Sequence, residues 1–382
     1  MDKKQRAKEL GYVNFGYISP DTSSNDEYPG YIKDGVEEAI RKIKMHQNSQ
    51  SISFAFMTDI HYSKTVVHDI RTKRLINAYK DIKDAVGVDM LMLGGDYTND
   101  GTKAYSDECL EGLKEHLCGL KYFPANGNHD DNSLWDEYLE NEKAVNHCTT
   151  QELYNIFYSH LPMLGANIKG EDTLYYYYDD DAASVRYIFL DTSDIPTVYT
   201  ETGAIKYTKQ HNFGISQVQI DWLINTALNT KENTDIVIFA HNAFFPSYYK
   251  KTPQEVCEDA TYHDTKSIRV LNEIFEAYNQ KTSICKEYEE KIFKVCANAD
   301  FSKCNGNIKC VVLGHWHKDI IEKSQSGIPY IYSDCTMMYD YDTPRVDGDI
   351  SELLFNIVTI DRANNKIYIT RIGAGEDRVI DL

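Results

Sequence analysis

Residues 51–61 read SISFAFMTDIH, an apolar run that ends in the polar side chains of Asp59 and His61. The run predicts a β-strand that is buried on both faces. The same arrangement recurs four times, with polar side chains soon after an apolar run: Asp96 after residues 91–93, Asn128 and His129 after 122–125, His241 after 236–240, and His315 and His317 after 311–313. Where buried strands alternate with helices, ligands bind beyond the carboxyl ends of the strands. We therefore predict an α/β fold in which these side chains meet.

Apolar patterning predicts ten strands and three helices. The strands are expected at residues 52–57, 89–93, 122–125, 174–178, 186–190, 235–240, 309–313, 329–332, 353–360 and 366–371. Helices are expected at 31–46, over a stretch that ends at Gly87, and from Ser216, which has capping-box spacing to Gln219. The last two strands should form a hairpin that turns at residues 363–365.

The chain is expected to divide into two parts. Residues 1–50 read as an amino-terminal arm on the surface followed by a short helix, and residues 51–382 as one large domain. Two segments, near 131–173 and 246–308, are longer than a minimal fold of this kind needs. Since insertions after strand ends lie over the site in such folds, we expect these two to form the wall of the substrate pocket.

Composition excludes several classes of protein. The formal net charge is −19 over 382 residues, which argues against a nucleic-acid partner because such partners require Lys and Arg. No apolar stretch reaches the roughly 18 residues of a membrane span. The first residues, MDKKQRAKELGYVNF, lack the apolar segment of a secretory signal, so we expect a cytoplasmic protein. The nine cysteines are expected to be unbonded, including the four between Cys285 and Cys310.

The residue types at the strand ends are those of a metal site. Carboxylates, imidazoles and an amide oxygen together suit borderline divalent ions such as Mn, Fe, Zn or Co. Two pairs, Asp59 with His61 and His315 with His317, are spaced so that an extended backbone would place both side chains on one face. Seven candidate ligands are too many for one tetrahedral ion but fit two ions that share a carboxylate. Two such ions form the usual clamp for displacement at phosphorus.

The ordered set D-x-H, G-D, G-N-H-[DE], H and G-H-x-H resembles the signature of the calcineurin-like metallophosphoesterase superfamily over about residues 51 to 375. The resemblance implies a four-layer α/β/β/α sandwich with a dinuclear metal site at the carboxyl ends of the strands. The roles it implies are as follows: Asp59, His61 and His317 hold the first ion, Asn128, His241 and His315 hold the second, Asp96 bridges both, and His129 is the catalytic general acid.

The sequence departs from two branches of that superfamily. The protein serine/threonine phosphatases carry Asp and then Arg after the bridging carboxylate, where this chain has Asn99 and Asp100. The purple acid phosphatases use a Tyr ligand that this chain lacks. Either Asp130 or Asp100 could support His129. The chain most resembles the bacterial phosphoesterase and phosphodiesterase branch.

The expected function is hydrolysis of a small phosphate ester, a diester rather than a monoester, by a metal-bridging hydroxide with His129 as general acid. One alternative is a non-catalytic scaffold, as in the retromer subunit that shares this fold but lacks the catalytic histidine; here His129 is present. Another alternative is a nuclease, against which the net charge argues. Sequence does not indicate the oligomeric state.

Overall fold

The computed structural model describes residues 28–138, 143–242, 244, 266–289, 294–336 and 343–382. These residues form two large β-sheets, a separate two-stranded hairpin and the helices that pack on the sheets. The predicted surface arm at residues 1–27 lies outside the described residues. So do residues 139–142 of the first predicted insertion and residues 246–265 and 290–293 of the second.

Fifteen strands lie in the described residues: β1 Ser51–Met57, β2 Met90–Leu93, β3 Lys121–Pro124, β4 Asn167–Ile168, β5 Tyr176–Asp180, β6 Val185–Phe189, β7 Asp235–Ala240, β8 Ser283–Glu289, β9 Lys294–Asp300, β10 Asn307–Leu313, β11 Ile320–Lys323, β12 Pro329–Tyr332, β13 Leu354–Asp361, β14 Lys366–Gly373 and β15 Arg378–Asp381. The α-helices described are α1 Gly30–His46, α2 Val66–Val86, α3 Lys103–His116, α4 Ser133–Tyr138, α5 Thr150–Leu153, α6 Gln217–Trp222 and α7 Lys266–Asn279. Helices α5 and α6 continue as π-helical turns, Tyr154–Tyr158 and Leu223–Ala227, and 3₁₀ turns lie at Leu161–Leu164 and Ile350–Glu352.

The strands form two large mixed sheets and a separate hairpin of β8 with β9. The first sheet has the order β15-β14-β13-β1-β2-β3, and the second has the order β11-β12-β10-β7-β6-β5-β4. In the first sheet β1, β2 and β3 are parallel; in the second, β6, β7, β10 and β12 are parallel. The parallel strands of each sheet therefore end at one edge, where all the candidate ligands follow them.

Alternate side chains of β7 pack into two different hydrophobic cores. Val237 and Phe239 join the core between the sheets, where the Phe239 ring centroid is 5.3 Å from that of Phe54 on β1. Ile236 and Ile238 join the core outside the second sheet, together with side chains of α6 and α7. This period of two buries both faces of the strand. Helices α1 and α2 pack outside the first sheet, which confirms the four-layer α/β/β/α prediction.

The ten predicted strands and the predicted hairpin at 363–365 are all present. The strands that sequence patterning missed are β4, β8, β9, β11 and β15, which are short or carry mostly polar or exposed side chains. Helix α2 ends at Gly87, as predicted, with φ of 70°. The predicted capping box at α6 is only half formed. The Ser216 side chain accepts the Gln219 N–H, but the Gln219 side chain bonds Asp191 instead of turning back.

The helix predicted at residues 31–46 is α1, and it packs on the sheet that begins at β1. Ile32, Val36 and Ile43 are buried in the core between this helix and that sheet. The Lys42 ammonium lies 2.8 Å from the Asp377 carboxylate, near the end of the chain. The division of the chain at residue 50 stays a prediction.

Two expectations drawn from composition bear on the described residues. Cys285, Cys296, Cys304 and Cys310 are free thiols, as predicted. No helix within the described ranges combines the length and the apolarity that crossing a membrane would require.

Candidate metal centre

Five of the candidate ligands have left-handed backbone conformations. Their φ angles are 53° for Asp59, 44° for His61, 53° for Asp96, 72° for His315 and 50° for His317. Non-glycine residues rarely adopt this region, and each such residue costs on the order of 1–3 kcal/mol. The extended backbone that we expected for the D-x-H and H-x-H pairs is therefore wrong. Each pair instead turns sharply after its strand, and the donor atoms of Asp59, His61 and His317 come within 4.8 Å of one another.

Two glycines beside the ligands are required by space rather than by backbone angle. A Cβ atom on Gly127 would overlap the backbone nitrogen and the carboxylate of Asp96. One on Gly314 would overlap the Thr58 hydroxyl and the Asp59 carboxylate. Segments that follow different strands thus approach each other so closely here that only glycine, which has no Cβ atom, fits.

Asp59, His61 and His317 form the first group of donor atoms. One donor atom from each residue lies within 4.8 Å of the others. The Nε2 atom of His317 is 3.1 Å from Oδ1 of Asp59 and 3.4 Å from Nε2 of His61. Burial lowers the pKa of His61 to about 3, which keeps its ring neutral, as a metal ligand must be.

Asp96, His241 and His315 form the second group, also within 4.8 Å. The Nε2 atom of His241 is 3.1 Å from Oδ2 of Asp96 and 3.0 Å from Oδ1 of Asn128. The Nδ1 atom of His241 lies 2.7 Å from the Gly94 carbonyl oxygen. In the neutral ring that a metal requires, Nδ1–H would donate to that oxygen and Nε2 would face the group.

The two groups concentrate negative charge in a buried space. Burial alone would lower the pKa of His241, but the carboxylates of Asp96 and Asp59 outweigh it and raise the pKa to about 9. Burial likewise opposes ionisation of Asp96, yet the facing histidines hold its pKa well below the usual range. The cluster thus holds positive charge strongly, and divalent ions compete with protons for such a place.

Asp96 lies between the two groups. Its Oδ2 atom is 3.1 Å from Nε2 of His241 in the second group and 3.9 Å from Nε2 of His61 in the first. Its other oxygen, Oδ1, accepts the backbone N–H of His129 at 2.9 Å, which holds the carboxylate in place. Each group combines one carboxylate with two imidazoles, a donor set that suits Mn, Fe or Zn. The residues therefore fit two ions, one at each group.

Asp100, and not Asp130, is the carboxylate beside His129. Oδ2 of Asp100 lies 2.5 Å from Nδ1 of His129. Asp130 instead accepts backbone N–H groups, from Tyr97 at 2.8 Å and from Gly127 at 2.7 Å. The Nε2 atom of His129 is 4.0 Å from Oδ2 of Asp96, so the ring stands at the edge of the second group.

Two neighbours of the second group, Gln210 and Phe213, were not predicted from the sequence. The Asn128 side-chain amide donates to the Gln210 side-chain oxygen. The ring of Phe213 meets that of His315 edge-on, with centroids 5.2 Å apart. Gln210 and Phe213 both lie between β6 and α6. The sequence there has neither an apolar period nor a metal-ligand spacing that would have identified them.

Comparisons with known proteins agree with this fold. The chain resembles the structure of a dimetal phosphatase from Danio rerio with a TM-score of 0.56 at 14% identity, covering 86% of this chain and 98% of that one. A predicted phosphoesterase from Streptococcus pneumoniae aligns at 8% identity over 87% of this chain and 98% of that one, but its TM-score of 0.29 does not establish a shared fold. No curated protein sequence matches the chain significantly.

A family model for calcineurin-like phosphoesterases matches residues 52–319, which is more than half of the chain and contains all seven candidate ligands. The chain therefore belongs to the calcineurin-like phosphoesterase family.

Proposed function

We propose that this protein is a dinuclear metal-dependent phosphoesterase that hydrolyses phosphodiesters in preference to monoesters. The observation that supports it most strongly is the position of Asp96, whose Oδ2 atom faces His241 at 3.1 Å and His61 at 3.9 Å. A carboxylate between two sets of nitrogen donors is the arrangement that two neighbouring ions require.

In this proposal each ion has its own protein ligands. Asp59, His61 and His317 hold the first ion, Asn128, His241 and His315 hold the second, and Asp96 is shared. When bound, the ions supply a hydroxide nucleophile at neutral pH and neutralise charge on the oxygens at phosphorus. The left-handed backbone at five of these positions keeps their side chains directed inward before any ion binds.

His129 is the proposed general acid. Its Nδ1 atom is engaged by Asp100, so its Nε2 atom is the one that can carry a proton toward a leaving oxygen. Asp100 is buried and therefore gives the ring a fixed direction. Nε2 stands 4.0 Å from Oδ2 of Asp96, so this nitrogen would face an ester held at the two donor groups.

The preference for diesters rests on the resemblance to the bacterial phosphodiesterase branch and on charge. The chain carries a formal charge of −19. A phosphodiester bears one negative charge at neutral pH, whereas a monoester bears nearly two, so the acidic protein slows the long-range approach of the monoester more strongly.

The test compares bis(4-nitrophenyl) phosphate with 4-nitrophenyl phosphate, after metal removal and reloading with Mn²⁺, for the wild type and the His129→Ala variant. His46→Ala is a matched control, because His46 ends α1 before β1 begins, away from the strand ends that carry the ligands. We expect metal-dependent turnover that favours the diester and falls by about 10²–10⁴-fold in His129→Ala with metal content unchanged. Full turnover in that variant would contradict the role of His129. A wild type that holds two ions and turns over neither ester would contradict the proposed activity and favour a scaffold.

A further inference from the structure

A closed turn lies between β6 and α6 at residues 208–214, which we call the 208–214 turn. The backbone N–H groups of His211 and Asn212 both donate to the Thr208 carbonyl, at 3.2 and 3.0 Å. The Gly214 N–H donates to the Thr192 carbonyl at 3.0 Å, just after β6. The turn is therefore fastened to the end of a core strand rather than hanging free on the surface.

Hydrogen bonds to helix α4 and the buried side chain of Lys209, which is part of the turn, hold the other side of this turn. The Lys209 N–H donates to the Ser133 hydroxyl at 3.1 Å, and the Thr208 hydroxyl donates to Glu137 at 2.9 Å. The Lys209 side chain is only 6% exposed. Burial alone would lower its pKa, but the negative charges of Asp131, Asp191 and Asp194 outweigh it and raise the pKa. An ammonium group held among carboxylates in this way fixes the position of its neighbour, Gln210.

Gln210 contacts the end of the Asn128 amide that faces away from the second group. The Asn128 amino group donates to the Gln210 side-chain oxygen. The Asn128 oxygen then lies 3.0 Å from Nε2 of His241. If the amide turned over, its two N–H groups would face the place of a cation, and an amide nitrogen is not a metal ligand. An acceptor at Gln210 therefore favours the orientation that binds an ion.

The same turn also contacts His315, a member of the second group. Phe213 packs edge-on to His315, with centroids 5.2 Å apart and an angle of 85° between the rings. The His315 ring is in turn edge-on to His241 at 5.1 Å. The first group is held from other elements: Asp59 accepts from the Thr58 hydroxyl at 2.6 Å and from the His315 backbone N–H at 3.0 Å.

We propose that Gln210 is a positioning residue for the second ion, acting through Asn128, and that it has little influence on the first ion. This inference rests on the proposed dinuclear centre and deepens it. In this inference the 208–214 turn sets the affinity of the second site for its ion and leaves that of the first site unchanged. Outer partners of metal ligands typically contribute about 10–100-fold in affinity.

The test uses the full-length protein with three substitutions. Gln210→Leu keeps the approximate size of the side chain and removes the acceptor, whereas Gln210→Glu keeps an acceptor oxygen. Gln280→Leu, at an exposed position just after α7, is the matched control. Metal-free samples are titrated with Mn²⁺ by calorimetry, and the spin-coupled signal of a manganese pair is followed by electron paramagnetic resonance. Thermal unfolding of the metal-free samples shows whether the fold is kept.

We expect two ions in the wild type and in Gln280→Leu. In Gln210→Leu the first ion should bind as before, the second should bind about 10–100-fold more weakly, and the coupled signal should require correspondingly more Mn²⁺. Gln210→Glu should restore the second site. The proposal is overturned if Gln210→Leu binds both ions normally, if both ions weaken equally, or if Gln210→Glu behaves like Gln210→Leu.

The same titration separates this inference from the proposed function. A wild type that binds two ions but cleaves no phosphate ester would overturn the proposed activity alone, and the comparison of Gln210 variants would still be decisive. A wild type that never binds a second ion would overturn both.

Discussion

The Nδ1 atom of His129 lies 2.5 Å from Oδ2 of Asp100, although the two residues are 29 positions apart in the chain. Asp100 is 1% exposed, and its burial raises its carboxyl pKa even though His129 opposes this. A buried carboxylate in contact with an imidazole fixes the direction of the ring and stabilises its protonated form. Asp130, two residues after Asn128, has a different task because it binds backbone N–H groups around Asp96.

Replacing Asp100 should therefore affect the rate without affecting metal content. In Asp100→Asn the negative charge beside His129 is lost, and we expect kcat for a phosphodiester to fall by about 10²-fold, the lower part of the range for general acid catalysis. Steady-state kinetics with metal analysis on the same samples measures this. Asp130→Asn is the comparison, and it should lower metal content first. If both variants lost the same amount of metal, the separate tasks assigned to the two carboxylates would be wrong.

Adding one methyl group at Gly127 should abolish metal uptake. In Gly127→Ala the new Cβ would overlap the backbone nitrogen and the carboxylate of Asp96, so the shared carboxylate must move. Metal analysis after reloading should show a loss of bound ions, whereas Gly30→Ala should bind normally because nothing lies within 4 Å of its Cβ position. Normal Mn²⁺ uptake in Gly127→Ala would show that metal binding does not depend on the present position of the Asp96 carboxylate.

Metal removal should destabilise the fold. An ion that binds the folded state alone stabilises it by about 2.7 kcal/mol per site at a free concentration of 100 times Kd. Thermal unfolding should show Tm rising with Mn²⁺ concentration and falling with a chelator. The effect should be weaker in Asp96→Asn, in which both groups lose their shared carboxylate. A Tm that is independent of Mn²⁺ would contradict metal binding by the folded chain.

Removing the buried charge of Lys209 should cost much more stability than removing an exposed one. In Lys209→Met the carboxylates of Asp131, Asp191 and Asp194 lose their facing cation, and breaking a buried ion cluster typically costs about 3–5 kcal/mol. Urea unfolding measures the change. Lys231→Met is the control, because Lys231 pairs with Asp181 on the open surface, where pairs contribute little. Equal losses of stability in the two variants would contradict the inference that Lys209 holds the 208–214 turn in place.

His68 should make the protein less stable in mild acid. Burial lowers its pKa to about 4, with a further contribution from Arg71. The unfolded chain gains a proton on this residue below about pH 6.5, but the folded chain gains it only near pH 4, so stability falls as the pH drops between these values. The loss between pH 7 and pH 5 is about 2 kcal/mol. Urea unfolding of His68→Gln at both pH values should show a loss smaller by that amount, and an identical pH dependence would contradict it.

The sequence by itself determined the strands that carry the site and the order of the candidate ligands along the chain. Apolar runs such as residues 236–240 specify buried strands because side chains alternate between two covered faces. A polar residue directly after such a run must lie at a strand end, and parallel strands bring those ends together. Because these patterns involve only neighbouring residues, the sequence was enough to predict the α/β fold and the side chains that form the two donor groups.

The tertiary structure alone decided how these side chains are held. The choice of Asp100 over Asp130 and the contact of Gln210 with Asn128 depend on loops that meet only after the two sheets pack. Gln210 and Asn128 are 82 residues apart, and no periodic pattern links positions at that distance. The left-handed turns at Asp59 and His61 likewise oppose local preference and persist because packing of the whole fold outweighs their strain.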